Sequence, residues 1–297
     1  MRGVRTRGGS NRTLVAPPAS SSVWQQHERL QSQGAADEDA RPESHPWLLE
    51  LPAGPSTLLA EERVLTFLSA SIGAGNLTNV ARDWRQVLCA TSAGAQPSYV
   101  SHSSRFLPRH MHPAGMEVAL QAHLFAGYAR AINALATIHR VGVHEEPAAA
   151  AAGGPAATVA DEDVLGWRHE KRSLDAWRGD GEEACALIYG RAYDKLRKRM
   201  GDMHPVLDAM MIENGYGRVL SRPGLALRVR ELCVLAILAG QDVAPQLNSH
   251  IRGALRVGAS RAEVVAVLEQ TSLAWGPDAQ LQAMATLETV DNARYGL

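Results

Sequence analysis

The chain has 297 residues, enough for one large helical domain or for two repeats of about half that size. Its 30 basic and 31 acidic residues leave a formal net charge of −1 without a basic stripe, so nucleic acid is not expected as a partner. No apolar run is long enough to cross a bilayer, so no membrane association is expected and the protein is predicted to be soluble. Three widely spaced cysteines, an odd number, argue against a disulfide framework or a zinc pattern.

Residues 1–56 differ in composition from the rest and are predicted to be a disordered tail and linker. Four arginines and several Ser and Thr residues precede the first acid, Glu28. That composition is typical of a mitochondrial or plastid transit peptide, and an ordinary tail on a cytoplasmic protein is the alternative. A secretory signal is not expected, because no apolar segment follows the arginines.

In the remaining residues, apolar side chains recur with helical spacing, and no segment alternates apolar and polar residues as a strand would. This pattern predicts an all-α fold. The first half spans residues 57–144, with an insertion or long loop predicted at 91–115. An Ala/Gly/Pro-rich linker at 145–162 separates it from the second half, residues 163–297. The first-half helices are predicted to begin near Leu58 and to cover Leu77–Leu88 and Met116–Thr137.

The second half is predicted to contain a helix at Glu182–Met200 and another that starts at Pro205 and ends at Gly215 or Gly217. Two apolar helices follow, one carrying Glu231 and the next carrying His250. The later boundaries are a helix end at Gly258, a capping box at Ser260 and Glu263, a break at Gly276–Pro277, and a last helix at Ala279–Ala293.

The two halves are predicted to be copies of one helical unit. The segment LFAG at Leu124–Gly127 matches LAWG at Leu273–Gly276, and the helix that starts near Glu62 takes the place of the Glu231 helix. The position equivalent to His250 falls near Val80, where no histidine is available. The first copy is therefore expected to be degenerate, keeping the packing without the site.

Glu231 is the most unusual residue of the second half, since its helix is apolar on nearly every face and must be buried. A carboxylate in such a helix needs a partner for its charge. One hypothesis is that it meets His250 in a proton-transfer site. The alternatives are a structural ion pair with Arg222, Arg228 or Arg230, or an acid favoured by the helix macrodipole.

His250 follows Glu231 by 19 residues and comes after Asn248 and Ser249, two residues that favour helix N-caps. A short loop between the two helices would make them antiparallel neighbours, so we expect the two side chains to meet in a pocket. Arg252 lies two positions further and points elsewhere on its helix. It is a candidate contact for a substrate carboxylate, and a solvated side chain is the alternative.

Three segments of this region carry a resemblance to a known family. They are the RE-plus-apolar helix at Arg230–Glu231, the pattern QL..H.RGAL at Gln246–Leu255, and the pattern GAS.AEV at Gly258–Val264. Together they resemble the carboxymuconolactone decarboxylase family, of the alkylhydroperoxidase D-like superfamily, and LFAGYARAINAL in the first half is similar to another of its segments. The resemblance implies an all-helical fold that assembles as a homo-oligomer, a trimer or a hexamer.

The resemblance also implies a function. Glu231 and His250 match the acidic and histidine positions of decarboxylase members, which use no cofactor and act on a carboxylated lactone. Redox members place a CxxC motif just before the histidine, where this chain has Val243 and Gln246. We therefore expect a lyase or isomerase without cofactor or metal, whose partner is a small carboxylate or lactone.

In this hypothesis His250 is the general acid/base, Glu231 orients or polarises it, and Arg252 contacts the substrate carboxylate. One alternative is an antioxidant protein of the peroxiredoxin or alkylhydroperoxidase type that uses Cys233. Another is a non-enzymatic assembly protein that keeps the oligomeric core. His102, His110 and His112 of the insertion are expected to belong to a polar loop rather than to a metal site.

Overall fold

The computed structural model describes residues 58–92, 113–144 and 167–290, and these ranges contain helices and turns but no β-strand. The predicted all-α fold is confirmed for them. None of the helices there combines the length and apolar character that crossing a membrane requires. The predicted tail at 1–56, most of the insertion and the linker at 145–162 lie outside the described residues.

The first half contains four helices, each close to its predicted position. They are α1 (Ala60–Ala74), α2 (Leu77–Ser92), α3 (Pro113–Ala126) and α4 (Tyr128–His144). The helical spacing predicted for α1 is confirmed, because Leu65, Leu68 and Ile72 are all buried. The single helix predicted at Met116–Thr137 is wrong. Gly127 has a φ of 84°, a left-handed conformation that interrupts the chain between α3 and α4.

The second half is a longer series of helices. Its members are α5 (Trp167–Glu170), α6 (Leu174–Tyr189), a short 3₁₀ turn (Gly190–Ala192), α7 (Tyr193–Met203), α8 (Pro205–Met210), a π-helix (Met211–Leu220), α9 (Leu227–Leu238), α10 (Ala244–Arg256), α11 (Arg261–Gln270), α12 (Ser272–Trp275) and α13 (Pro277–Glu288). The capping box at Ser260 and the break at Gly276–Pro277 are present as predicted. The helix predicted at Glu182–Met200 is divided at Gly190, whose φ is 51°.

The ends of the predicted 91–115 loop are helical, since α2 reaches Ser92 and α3 begins at Pro113. Proline is well suited to the first turn of a helix, because it has no N–H to leave unpaired and its φ is already helical. Residues 93–112 lie outside the described ranges, and the insertion itself stays a prediction.

The helix that begins at Pro205 does not end at Gly215 or Gly217, and this prediction was wrong. It continues as a π-helix to Leu220. Gly217 serves instead in helix packing, because a Cβ atom there would lie 1.8 Å from the carbonyl oxygen of Trp177 on α6. Gly181 on α6 is equally close to the π-helix, with a built Cβ 2.1 Å from the carbonyl oxygen of Ile212. The two backbones therefore approach to a distance that only glycine permits.

Helix α9 is the centre of the described structure, with every residue from Val229 to Leu238 buried. One face, which includes Cys233 and Ile237, packs on α1–α4. The opposite face, which includes Leu232 and Leu235, packs on α10, α11 and α13. A third apolar cluster lies between α6 and the π-helix. The near absence of an exposed face explains why the sequence of α9 shows little amphipathic pattern.

The two halves pair their helices in a similar way. Helix α1 packs on α2 as α9 packs on α10, and α2 packs on α4 as α10 packs on α13. Gly127 and Gly276 both have positive φ values, 84° and 91°, at the breaks before α4 and α13. These are the pairings that a duplicated unit would produce, and the degenerate first repeat stays a prediction.

Candidate active site

The buried acid and histidine are in direct contact. Glu231 is the fifth residue of α9 and is fully buried, while His250 on α10 is 6% exposed. Nδ1 of His250 lies 2.9 Å from Oε2 of Glu231. With Glu231 ionised, Nδ1–H donates to the carboxylate, because an ionised carboxylate only accepts. The contact expected from the sequence is therefore present, and Nε2 is the ring nitrogen left to face a ligand.

The start of α10 differs from the prediction. Asn248 and Ser249 are not N-caps, because the helix already begins at Ala244 with Pro245 in its first turn. Inside the helix, Asn248 donates to Oγ1 of Thr289 and Ser249 donates to the carbonyl oxygen of Pro245. His250 consequently lies in the middle of a regular helix, where the backbone holds it firmly.

A glycine allows α10 to approach the carboxylate. A Cβ atom built on Gly253 would lie 2.9 Å from Oε2 of Glu231 and 2.6 Å from Cγ2 of Ile188. Residues 250 and 253 share one face of the helix, since they are three positions apart. This packing explains the glycine of the RGAL pattern, because a residue without a side chain leaves room for the carboxylate that His250 contacts.

None of the three arginines considered as partners contacts Glu231. Arg222 and Arg230 are both bound by Glu117, at 3.0 and 2.8 Å. Arg228 pairs with Glu62 and with Glu263. Successive residues of a helix point about 100° apart, so neighbours of Glu231 in sequence face other parts of the core. The alternative of an arginine ion pair at Glu231 was wrong, and the side chain that contacts its carboxylate is His250.

The first half contributes one wall of the site. The ring of Phe125, at the end of α3, meets the imidazole of His250 edge-on at a centroid distance of 5.4 Å. The carbonyl oxygen of Phe125 accepts a hydrogen bond of 3.0 Å from Gln241, which precedes α10. The apolar ring limits the access of water to the imidazole and strengthens its interaction with Glu231.

Two tyrosines and a cysteine lie on the side of α6 and the π-helix. The rings of Tyr189 and Tyr216 are nearly perpendicular, with centroids 6.2 Å apart. Burial and the nearby carboxylate of Glu231 raise the pKa of Tyr189 to about 12 and that of Tyr216 well above its ordinary value. Burial likewise raises the pKa of the Cys185 thiol to about 12.

These residues were missed by sequence reasoning, together with Phe125. Phe125 lies in the LFAGYARAINAL segment, which was singled out for its resemblance to the family. That resemblance did not indicate that this segment of the first half would contact His250 of the second half. Nothing in the sequence around Tyr189 predicts its ring contact with Tyr216, because that contact depends on how closely α6 and the π-helix approach.

Two buried polar atoms near the site lack a hydrogen-bond partner among the described residues. They are Oε1 of Glu231 and Nε of Arg252. Arg252 lies two positions after His250, about 200° around the helix, so it does not share the face of the imidazole. Its role in substrate binding stays a prediction.

Cys233 does not belong to this site. It is fully buried against α1, and Ser69 donates to its backbone carbonyl oxygen at 2.8 Å. Burial raises the pKa of its thiol to about 12, so the nucleophilic thiolate is scarce at neutral pH. In the described residues no group of three or more His, Cys, Asp or Glu side chains could hold a metal ion. His102, His110 and His112 lie outside the described ranges.

Residues 205–289, which contain the whole Glu231–His250 contact, match the family described as the Carboxymuconolactone decarboxylase family. The resemblance predicted from the sequence patterns is therefore confirmed for this part of the chain. Peroxisomal protein 2 of Schizosaccharomyces pombe is 28% identical over 103 residues, which are 34% of this chain and 48% of that protein. An uncharacterised 15.0 kDa protein of Paracoccus denitrificans, from the nqo9-nqo10 intergenic region, is 28% identical over 95 residues, 31% of this chain and 71% of that protein.

The matched region thus spans about half the length of the first relative.

Proposed function

We propose that residues 205–289, the domain of the carboxymuconolactone decarboxylase family, form a lyase that needs no cofactor and removes CO₂ from a small carboxylated lactone. The observation that supports this most is the 2.9 Å contact between Nδ1 of His250 and the buried Oε2 of Glu231. A histidine held by a buried carboxylate and shielded by an aromatic ring is well arranged to deliver a proton in a dry environment.

The reaction requires one proton and no redox change. The bond between the ring carbon and the carboxylate breaks, CO₂ leaves, and the electron pair of that bond remains on the lactone framework. Nε2–H of the His250 imidazolium then protonates the carbon, and the imidazole recovers a proton from solvent. General acid catalysis of this kind typically contributes about 10²–10⁴-fold in rate.

Glu231 acts through His250 rather than on the substrate. Its Oε2 fixes the ring orientation, directs Nε2 outward and stabilises the imidazolium that delivers the proton. Arg252 is proposed as a contact for the substrate carboxylate, supported by the unpartnered state of its buried Nε among the described residues. Exposed apolar side chains, such as Tyr128 and Ile132 one turn apart on α4, support the proposal that the chain forms a homo-oligomer.

The antioxidant alternative is less well supported. Positions 243 and 246, where redox members carry their two thiols, hold Val243, the N-cap residue of α10, and Gln246 in its first turn. Cys233 is buried on the other side of α9 with a pKa raised to about 12, so it is neither accessible nor ionised at neutral pH.

The proposal is tested by measuring CO₂ release from γ-carboxymuconolactone by the full-length protein. His250→Gln is expected to lower kcat by about 10²-fold or more, because the substituted side chain cannot transfer the proton. Glu231→Gln is expected to lower kcat by a smaller factor with little change in KM, because the proton donor is still present but poorly oriented.

Matched controls separate catalysis from folding. His139→Gln and Glu183→Gln change the same residue types at exposed positions on α4 and α6 and should leave kcat within about twofold. A wild-type protein that releases no CO₂, or a His250→Gln variant as active as the wild type, would refute the proposed function.

A further inference from the structure

We propose that Phe125 of the first half is a positioning residue of the Glu231–His250 site, because its ring fixes the plane of the imidazole that the carboxylate anchors. Gln241 holds Phe125 in place. The first half thereby takes part in the reaction of the second half. The inference rests on the proposed function for the reaction that is measured, and it also makes a separate claim about the orientation of the His250 ring.

The first argument is that the contact with Glu231 alone leaves the imidazole free to turn. The hydrogen bond of 2.9 Å between Nδ1 of His250 and Oε2 of Glu231 fixes one point of the ring. A turn about that point changes the direction of Nε2, the nitrogen that faces a ligand. The ring of Phe125 meets the imidazole at an interplanar angle of 89°, with the centroids 5.4 Å apart. Edge-on pairs at about 4.5–7 Å are a favoured arrangement of two aromatic rings, so this contact fixes the plane that the hydrogen bond leaves open.

The second argument is that the end of α3 is tied to the segment before α10. The last carbonyl groups of a helix have no N–H partner within it. Helix α3 ends at Ala126, and Gly127 turns the chain with a φ of 84°, so the carbonyl group of Phe125 is one of them. Nε2 of Gln241 donates a hydrogen bond of 3.0 Å to this carbonyl oxygen. The amide thus joins the backbone that carries Phe125 to the segment that leads into the His250 helix.

The third argument is the packing around Phe125. Its side chain is partly buried and packs against all three apolar clusters of the described structure. Close packing on several sides restricts the rotamers of an aromatic side chain. A ring held in this way is a rigid support for the imidazole beside it.

The fourth argument is that the same kind of contact between the halves occurs in the opposite direction. LAWG at Leu273–Gly276 is the second-half segment that matches LFAG at Leu124–Gly127. Its Trp275 packs on α1, since a Cβ atom built on Gly73 would lie 2.8 Å from Cζ2 of Trp275. Each segment therefore contacts the other half, and the segment of the first half does so at His250.

In the reaction, Phe125 acts through His250 and transfers no proton. Nε2–H must be directed at the carbon that loses CO₂, and a displacement of about 1 Å at a catalytic group can cost about a hundredfold in rate. An aliphatic side chain fills similar space but has no flat ring to fix the imidazole plane. The role therefore requires an aromatic ring at position 125, and an apolar side chain of similar volume is not sufficient.

The kinetic test compares Phe125→Leu with Phe125→Tyr in the full-length protein. Leucine is expected to lower kcat for CO₂ release from γ-carboxymuconolactone about tenfold with KM within about twofold, because the proton donor is misdirected while the ligand contacts remain. Tyrosine keeps the ring and should hold kcat within about threefold of the wild type. A residue that only filled space would tolerate leucine at least as well as tyrosine.

The spectroscopic test does not depend on turnover. The resonances of the His250 ring are assigned in ¹³C-histidine-labelled full-length protein by their loss in His250→Gln. The NMR order parameter of the ring C–H bonds then measures how firmly the imidazole is held. It is expected to fall in Phe125→Leu and to stay unchanged in Phe125→Tyr. Phe67→Leu is the matched control, since the Phe67 ring faces Arg82 at 5.3 Å, and it should leave the order parameter unchanged.

Gln241→Glu tests the contact that holds Phe125. The change removes the N–H donor and keeps the size of the side chain. It should lower kcat about fivefold, the usual effect of losing one hydrogen bond, and should lower the order parameter of the His250 ring. Gln282→Glu makes the same change at an exposed position on α13 and should leave kcat within about twofold.

Full activity of a folded Phe125→Leu variant, equal losses in the leucine and tyrosine variants, or an unchanged order parameter in Phe125→Leu would each overturn the inference. Where the leucine variant does not fold, an unchanged order parameter in Gln241→Glu overturns it. The outcomes are separable from those of the proposed function. Lactone turnover that depends on His250 but not on Phe125 refutes this inference alone. A lower order parameter in Phe125→Leu, without any lactone turnover by the wild type, refutes the proposed function alone.

Discussion

Gly253 determines whether the imidazole and the carboxylate can meet. Replacing it with alanine would place a methyl group 2.9 Å from Oε2 of Glu231, so the side chain of Glu231 or the whole of α10 must move. We expect Gly253→Ala to lower kcat by at least about tenfold, because a displacement of about 1 Å at a catalytic group can cost about a hundredfold. The measurement is CO₂ release together with the midpoint of thermal unfolding.

Gly179→Ala is the control for this substitution. Gly179 also lies within a helix, but no heavy atom lies within 4 Å of its built Cβ. Alanine there should leave activity unchanged and raise the free energy of unfolding by about 0.5–1 kcal/mol, the usual gain over glycine in a helix. Equal activity of Gly253→Ala and the wild type would mean that the Glu231–His250 distance is unimportant for catalysis.

Among the elements, α2 is joined to α1 by a buried carboxyl group. Asp83 accepts a 2.6 Å hydrogen bond from Ser71 and a 2.9 Å ion-pair contact from Arg82, yet burial is the larger effect and raises its pKa from 3.8 to about 6. The folded protein therefore holds this proton at pH values where the unfolded chain has lost it. The resulting stabilisation is present at low pH and disappears as the pH rises to about 6.

Asp83→Asn should remove this pH dependence, because an amide does not titrate. The free energy of unfolding of the wild type, relative to the variant, is expected to fall by about 2 kcal/mol between the unfolded and folded pKa values of 3.8 and about 6. Urea denaturation across that range measures it. Asp202→Asn, in an exposed pair with Lys198, should show no comparable slope. A relative stability that stays constant or rises with pH would contradict the raised pKa of Asp83.

The sequence predicted elements well where the signal is local. The capping box at Ser260 and the helix end near Gly258 follow from residues that act on their own backbone. The π-helix was not predictable, because Gly217 looks like a terminator in sequence. It is kept in a helix by the close approach of α6, a contact between residues that are 40 positions apart (Gly217 and Trp177).

At the scale of the whole molecule, a buried ionic cluster joins the two halves. Glu117 on α3 binds both Arg222 and Arg230, and Arg222 also binds Glu170 at 2.6 Å. Gln121 adds a 3.1 Å hydrogen bond from Nη1 of Arg230 to its side-chain oxygen. Arg230 is completely buried, and burial lowers its pKa despite the opposing effect of Glu117.

Glu117→Gln should therefore be strongly destabilising. Two buried guanidinium groups would lose their shared carboxylate, and breaking a buried pair in this way costs about 3–5 kcal/mol. The free energy of unfolding from urea denaturation is the measurement. Glu288→Gln breaks an exposed pair with Arg261 and should cost less than about 1 kcal/mol. A loss of similar size in both variants would show that the cluster does not hold the halves together.

The sequence identified the acid and the histidine of the candidate site but not the rest of its surroundings. Glu231 was conspicuous because a charged residue interrupts an apolar helix, and His250 because it follows at a distance that suits two neighbouring helices. Phe125 comes from α3, and only the packing of both halves around α9 brings its ring to the imidazole. Local patterns in a single sequence do not show which distant helices pack against each other.

The proposal that Glu231 and His250 work as one catalytic unit is decided by the double variant Glu231→Gln/His250→Gln. If Glu231 acts only through His250, the double variant should have a kcat/KM for CO₂ release from γ-carboxymuconolactone within about threefold of that of His250→Gln alone, since residues that act as a unit are not additive. Losses that multiply, with the double variant lower by the product of the two single effects, would show instead that the two residues act independently.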